Sequence, residues 1–587
     1  MTLVLAALCA LAVATPAWAA TGELTPDTKM TVGGLDEGDQ VSFYKLIKWV
    51  PGDGWAWADG VETAAATDPA ITLPQLKTIT GWTTPKPATA GVISAADGGA
   101  LAQVAQRLSV AATKTVGTGA TSVEYALAND ATDAQKVDYL GLYVALVEPA
   151  KADVVYNPIF VAADYNPDST NTNSITVEKG TLSYSPAALA KKEEVTLTKT
   201  SGTAASGSTP ADVQYDVAVG DTIPFTIESV VPEYSTSYVD PIYEISDVMS
   251  TGLELLDDPA IVVQVKDTNA SSWTTLTANT DYTVDGKTTA GFTVKLKSDY
   301  LKTNSAAKNI KVTYSAKVTS IDDTNVVKKD NTATVKFSNN PGNKDDYSLL
   351  EDKTYHYTFS LDANLLGNDE WENSELVKIG LNPDGTEITQ YTLSNGHSAG
   401  VLEGATFGLY TDAACTQLYT NNNVTPAVTG QFTSDAHGKL NISGLDAGTY
   451  YLKEISAPAG YIKSTDTWQI VITPSYADVE AGTYTNAAGK TVKYDAYQYL
   501  TSYKVEITNK TTNTTVTNDF TITNTGTEKK TATASSTDTE TKLNNTRGTE
   551  LPSTGGMGTT ILYTVGGILI AAGGIWLATK KRLSTME

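Results

Sequence analysis

The chain is poor in the residues that enzymatic chemistry usually draws on. Its 587 residues include only two cysteines, Cys9 and Cys415, and three histidines, His356, His397 and His437, which fall in no metal-ligand spacing. It has no glycine-rich phosphate loop, nucleophile elbow or zinc-binding helix motif, and its paired acids at Asp257-Asp258 and Asp322-Asp323 read as turns. No cofactor, no metal and no enzymatic turnover are therefore expected. Positive charge is also scarce: 41 Lys and Arg stand against 66 Asp and Glu, a formal net charge of −25. A surface of that sign excludes nucleic acid and anionic membrane faces as partners, because neither gains from counterion release or basic-patch attraction. Helical heptads are missing too. Instead Thr, Asn, Val and Tyr recur in short runs broken by Gly, Asp and Pro, which reads as β-structure. A chain this long exceeds one core and implies three or four domains.

The ends assign the compartment. Leu3 to Ala14 is a short apolar run, and Ala17 and Ala19 hold the small-residue positions of a signal-peptidase site, so cleavage is expected after Ala19. The basic region that normally precedes such a run is missing, which points to a start upstream of Met1. Cys9 leaves with this leader, so the mature chain keeps one thiol and no internal disulfide. At the other end Thr559 to Thr579 is apolar, uncharged and about long enough to span a bilayer, and Lys580-Lys581-Arg582 follows as an inside-facing basic tail.

Just before that span stands Leu551-Pro552-Ser553-Thr554-Gly555. The pentapeptide, the span and the basic tail, in that order, resemble the sorting signal of sortase substrates. The resemblance implies that a sortase cysteine attacks the Thr554 carbonyl, that Gly555 leaves with the membrane tail, and that an amine resolves the thioester. In that step the chain is substrate, not catalyst. Pro552 favours an extended Leu551, as a peptide in an enzyme groove requires. Residues 527–550 are rich in Thr, Ser, Lys and Asn and nearly free of apolar side chains, and are expected to form a stalk.

An extracellular β-protein without disulfides has either large cores or another staple. Val195, Leu197 and Lys199 alternate, so on a strand all three share one face, and two of the three are aliphatic. Tyr243, Ile245 and Asp247 repeat the pattern, as do Val335, Phe337 and Asn339. Buried singly, an amine, a carboxyl and an amide would each be costly. Together they can react. Burial lowers the pKa of an amine and raises that of a carboxyl, so a neutral Lys199 can attack an Asn carbonyl polarised by protonated Asp247, with loss of ammonia. The bland alternative is a buried ion pair between Lys199 and Asp247. The stretches "YDVAVGDTIPFTIESVVP" from Tyr215, "YEISDVMSTGLEL" from Tyr243 and "NTATVKFSNNP" from Asn331 resemble the fimbrial isopeptide-formation domain of Gram-positive shaft pilins. That resemblance implies a Lys199 to Asn339 bond, with Asn340 as the competing amide.

The next segment has the same logic. "TYYLKEISAPAGYI" from Thr449 resembles the E-box of CNA-B-type domains, with Tyr450, Leu452 and Glu454 on one face and Ile455 where Thr is common. "SELVKIGLNPDG" and "LEGATFGLYTD" match that domain's opening strands and put Leu376 and Lys378 on one face. The resemblance makes Lys378 the nucleophile and Glu454 the proton-shuttling acid. Phe520, Ile522 and Asn524 alternate before the stalk, making Asn524 the expected amide, with Asn509 of the Val505, Ile507, Asn509 alternation as the alternative.

The first 160 or so residues of the mature chain are less legible. "DQVSFYKLIKWV" from Asp39 and "YLGLYVALV" from Tyr139 are strand-like, whereas "PQLKTIT" from Pro74 and the run from Gly98 to Lys114 suggest a helical insertion. Shaft pilins end this domain with a Tyr-Pro-Lys motif whose lysine accepts the next subunit. Here Tyr184 and Pro186 are followed by Ala187, so Lys191 and Lys192 are the candidates, or are plain solvated charges.

The expected molecule is all-β, a tandem, elongated array of immunoglobulin-like, CNA-B-type sandwiches with a C-terminal transmembrane helix. Its parts are a signal peptide (1–19), an N-terminal pilin domain (20–187), a fimbrial isopeptide domain (188–343), a CNA-B-type domain (344–526), a stalk (527–550), the sorting motif (551–555), the span (559–579) and a basic tail (580–587). It is expected to be a wall-bound structural pilin, with pilin-specific and housekeeping sortases, identical subunits, ancillary pilins and peptidoglycan as partners. The alternative is a monomeric adhesin or ancillary pilin that meets a host ligand through its first domain.

Overall fold

The computed structural model describes residues 29–66, 95–164, 186–202, 216–234, 238, 240–304, 306–319, 328–341, 343, 345–361, 376–389, 391–392, 398–422, 427–525, 529–534, 540–548 and 558–583. The leader, Tyr184, His397, the 74–80 stretch and the sorting motif 551–555 lie outside the described residues. The described residues form three β-sandwiches in series, with a few short helices, and a long apolar helix at the end, as alternation and composition predict.

In the first domain Gln40–Val50 and Gly141–Glu148 pair antiparallel at the centre of one sheet, while Lys29–Gly33 lies between Ser122–Ala126 and Ala187–Leu189 in a second. Residues 141–145 are buried without alternation because this sheet is covered on both faces. One face packs on the second sheet through Met30, Phe43 and Tyr143, the other on the helices Val61–Ala66 and Ala95–Ala105 through Leu101 and Val104. The run expected to be helical from Gly98 to Lys114 is so only to Ala105, since Ala112–Thr115 pairs as a strand with Gln40–Val50, and the two helices cover a second small core.

In the middle domain, one sheet carries Leu197–Ser201, Thr222–Val231 and Lys308–Val318 side by side. The facing sheet carries Tyr243–Met249 beside Lys328–Ser338, and then Tyr347–Tyr357. Aliphatic and aromatic residues at every second position fill the space between, from Val195 and Leu197 to Val335 and Phe337. The Tyr347–Tyr357 strand serves two domains: Leu350 belongs to the middle core, Tyr355 and Tyr357 to the third.

The third domain is built on a seven-stranded sheet that includes Thr406–Tyr410, Gly448–Ser456, Thr467–Val479, Tyr497–Asn509 and Thr514–Thr525. Against it lies a parallel pair, Leu376–Leu381 with Thr541–Thr546. This departs from the expected domain boundary at 526, because Thr541 and Leu543, inside the expected stalk, are buried and Leu543 belongs to the core. A hairpin of Gly482–Thr485 and Thr491–Tyr494, inserted in the third domain, leaves it and joins the edge of the middle domain's sheet at Tyr347–Tyr357. The helix Gly558–Leu583 contains a 20-residue segment, Leu562–Lys581, with mean hydropathy 1.6.

Candidate functional site: two buried amine, carboxyl and amide clusters

The middle domain gathers four polar side chains between its sheets. Lys199 and Tyr314 come from one sheet and Asp247 and Asn331 from the other, and all four are buried. Lys199 Nζ donates to Asp247 Oδ2 and to the Tyr314 hydroxyl, the latter at 2.6 Å. Tyr314 in turn donates to Asp247 Oδ2 at 2.6 Å, and Asn331 Nδ2 donates to the Tyr314 oxygen at 3.0 Å. The amine also lies 5.1 Å above the Phe225 ring, which stacks on Tyr314. Burial pushes the Lys199 ammonium down and the Asp247 carboxyl up, and their mutual attraction opposes both shifts. Asp247 Oδ1 and Asn331 Oδ1 have no hydrogen-bond partner. Buried polar atoms left unpaired cost free energy, so two in one cluster point to chemistry rather than to stability.

The third domain repeats the composition with different reach. Lys378 Nζ lies 3.2 Å from Glu454 Oε1, both side chains fully buried, and 5.3 Å above the Phe407 ring. Asn545 Nδ2 donates to Glu454 Oε2 at 2.8 Å and to the Ile462 carbonyl at 2.7 Å. Burial holds the Lys378 amine down at about 8, with Glu454 opposing it. Asn545 Oδ1 is unpartnered and Lys378 Nζ makes no hydrogen bond of good geometry.

The structure therefore brings Lys199 to Asp247 and Lys378 to Glu454, but it gives them other amides. Asn339 lies beyond the end of Lys328–Ser338 and donates to Ser348. Eight residues of strand separate it from Asn331, roughly 26 Å at the usual rise, far outside the reach of Lys199. Asn340 joins Gln106 of the first domain to Asp346. Asn331 shares the inward face with Ala333, Val335 and Phe337, so alternation identifies the face and leaves the position along it open. In the third domain Asn524 pairs through its backbone with Lys530 in the large sheet. Asn509 is engaged in a turn, donating to Asp466 and accepting from Thr511 and Thr512. Asn545 escapes a reading by composition because its strand looks like stalk. The one local signal is the alternation of Thr541, Leu543 and Asn545, all buried.

Lys191 and Lys192 sit where the first domain meets the second. Lys192 opens the strand Lys192–Glu194, paired with Val154–Tyr156, and its ammonium lies 2.6 Å from Asp36. Lys191 reaches Glu233 of the middle domain, with its side chain 59% exposed against 41% for Lys192.

Residues 394–486 match the SpaA prealbumin-like fold domain, and residues 544–582 match the LPXTG cell wall anchor motif. The chain is 23% identical over 461 residues to the trypsin-resistant surface T6 protein of Streptococcus pyogenes serotype M6, an alignment spanning 75% of this chain and 79% of that protein. Among solved structures, the T6 backbone pilin of serotype M6 Streptococcus pyogenes, described as a modular three-domain structure, aligns with a TM-score of 0.51 at 17% identity over 89% of this chain and 98% of that one. The full-length major pilin SpaD of Corynebacterium diphtheriae aligns at 0.42 and 18% identity over 75% and 90%. With three sandwiches in series, a match to the SpaA prealbumin-like domain and a wall-anchor motif followed by an apolar helix, the chain has the makeup of a cell-wall-anchored surface protein and is similar over most of its length to a Gram-positive backbone pilin.

Proposed function

We propose that this chain is the shaft subunit of a covalent pilus, joined by sortase from Thr554 to a lysine of the next subunit and stapled internally by Lys199–Asn331 and Lys378–Asn545 amide bonds. The observation that carries the internal bonds is the recurrence, in two sandwiches, of one buried amine, one buried carboxyl and one buried amide with an unpartnered carbonyl oxygen. In each, the carboxyl takes a proton from the ammonium, the neutral amine attacks the amide carbon, and ammonia leaves. Each bond closes a loop of well over a hundred residues, worth about 5 kcal/mol on the loop-entropy account of cross-links. Under tension the greater effect is mechanical, since a link between a domain's opening and closing strands carries load past the core.

A pilin-specific sortase would form the subunit link, and a housekeeping sortase would pass the last subunit to peptidoglycan. Lys191 is the favoured acceptor, being the more exposed of the two candidates, with Lys192 second. Mass spectrometry of wall-extracted material is the test. The expected result is a chain two ammonia masses lighter than its sequence, and a cross-linked peptide joining Thr554 to Lys191 or Lys192. A chain of unreduced mass sinks the internal bonds, and Thr554 found only on wall peptide sinks polymerisation.

A further inference from the structure

The middle-domain cluster holds a group that has no counterpart in the third among the described residues. Lys199, Asp247 and Asn331 all converge on the Tyr314 hydroxyl, at 2.6, 2.6 and 3.0 Å. A phenol has one proton to give and two lone pairs to receive, and here each is used: the proton goes to Asp247, the lone pairs to the amine and to the amide NH2. Because the hydroxyl proton is committed to the carboxylate, the amide can face it only with its nitrogen. In the third domain Glu454, one methylene longer than aspartate, meets the Asn545 nitrogen directly. Around the shorter Asp247 the Asn331 amide also acts on the carboxyl, and Tyr314 adds a bridge between the two, hydrogen-bonded to both. The tyrosine ring is fixed by stacking on Phe225, with centroids 5.3 Å apart, and by an edge contact with Phe292 at 4.9 Å.

Building on the proposed Lys199–Asn331 bond, we infer that Tyr314 is a catalytic residue of its formation, passing the proton of Asp247 to the departing amide nitrogen. The atoms balance as follows. Asp247 first takes a proton from the Lys199 ammonium, and the neutral amine adds to Asn331 Cγ. The carbonyl π electrons move onto oxygen. As the C–N bond to the amide nitrogen breaks, Tyr314 gives that nitrogen its proton and recovers one from Asp247, so ammonia leaves. The attacking nitrogen then returns its surplus proton to Asp247, which ends protonated beside a neutral amide bond. The phenol finishes as it began. General acid catalysis of this kind is commonly worth 10² to 10⁴ in rate.

The test uses the full-length protein, pulse-labelled and sampled for intact mass over time. In Tyr314→Phe, which keeps the stacked ring, the middle-domain ammonia loss is expected to slow by about 10²-fold. The third-domain loss should continue at the wild-type rate. Wild type should also show a solvent deuterium proton inventory on the middle-domain step with two protons in flight, reduced to one in the Phe variant, a change that a merely structural tyrosine would not produce. An unchanged middle-domain rate in Tyr314→Phe overturns the role of Tyr314. A wild-type chain that never loses the middle-domain ammonia overturns instead the bond on which it rests. Should the Phe variant fail to fold, difluorotyrosine at position 314 preserves shape while changing phenol acidity. A shifted rate then supports the relay, and an unchanged rate removes it.

Discussion

Lys378 shows at the scale of one residue what an unreacted cluster would cost. A lysine in water keeps its proton to about pH 10.5, whereas burial brings Lys378 to about 8. Between those values the unfolded chain holds a proton that the folded chain has released, so stability rises with pH across that window. The effect belongs only to a chain that has not formed the bond, since an amide nitrogen does not titrate there. In Asn545→Ala, unfolding by denaturant should therefore show the third domain gaining up to about 3 kcal/mol between pH 8 and 10.5. Lys378→Met in the same background should lose that gain. Equal slopes in the two variants would mean that Lys378 is not held in the apolar site described.

At the scale of elements, the Thr541–Thr546 strand decides whether the third sandwich can close. It pairs in parallel with Leu376–Leu381, with Lys378 opposite Leu543, and it supplies both a core side chain and the amide of the cluster. Ending the chain at residue 526 should remove the third-domain ammonia loss and leave the middle-domain one intact. Ending it at residue 548 should preserve both, with intact mass as the measurement. Loss of Leu543 from the core alone should cost about 2 to 5 kcal/mol, so the shorter chain should also unfold at lower temperature.

The same strand marks the limit of what the amino-acid sequence discloses. Lys199, Asp247, Lys378 and Glu454 were legible because each continues an alternation of apolar residues, and a charge on that face is conspicuous. Asn331 was not, because the inward face of its strand offers an amide near each end and only the pairing of Met249 with Asn331 shows which one comes near Asp247. Asn545 lay hidden among Thr and Asn residues that are individually ordinary in a stalk. Its burial depends on a partner strand more than 160 residues away, and local composition does not carry that information. The three sandwiches were predictable from turn spacing and period; the hairpin that leaves one domain to extend the sheet of another was not.

That hairpin governs the whole molecule. Domains in one chain move relative to each other unless their contacts are extensive, and a shaft under tension gains from their not doing so. Here the Tyr347–Tyr357 strand already runs from the middle core into the third. The inserted hairpin lies alongside it, pairing Val492 with Leu349, and its tip region reaches further: Lys490 lies 3.2 Å from Asp346, Tyr484 donates to Glu351, and Lys493 pairs with Asp153 of the first domain. Asp153 is buried and its carbonyl accepts from Val195, where the middle domain begins, so one element of the third domain braces both junctions. The half-exposed Lys490–Asp346 pair contributes at most about 1 kcal/mol, so the brace acts through the sum of several contacts and the strand pairing. The hairpin can be removed without disturbing its own sandwich, because Val479 and Tyr497 are already paired neighbours that a short turn can join. A chain with residues 480–496 replaced by Asn-Gly should lose both ammonias as wild type does, since neither cluster touches the hairpin. Small-angle scattering should nevertheless report a broader range of maximum dimensions than the narrow one expected of the braced molecule. An unchanged distribution would show that the shared strand alone keeps the three domains in line.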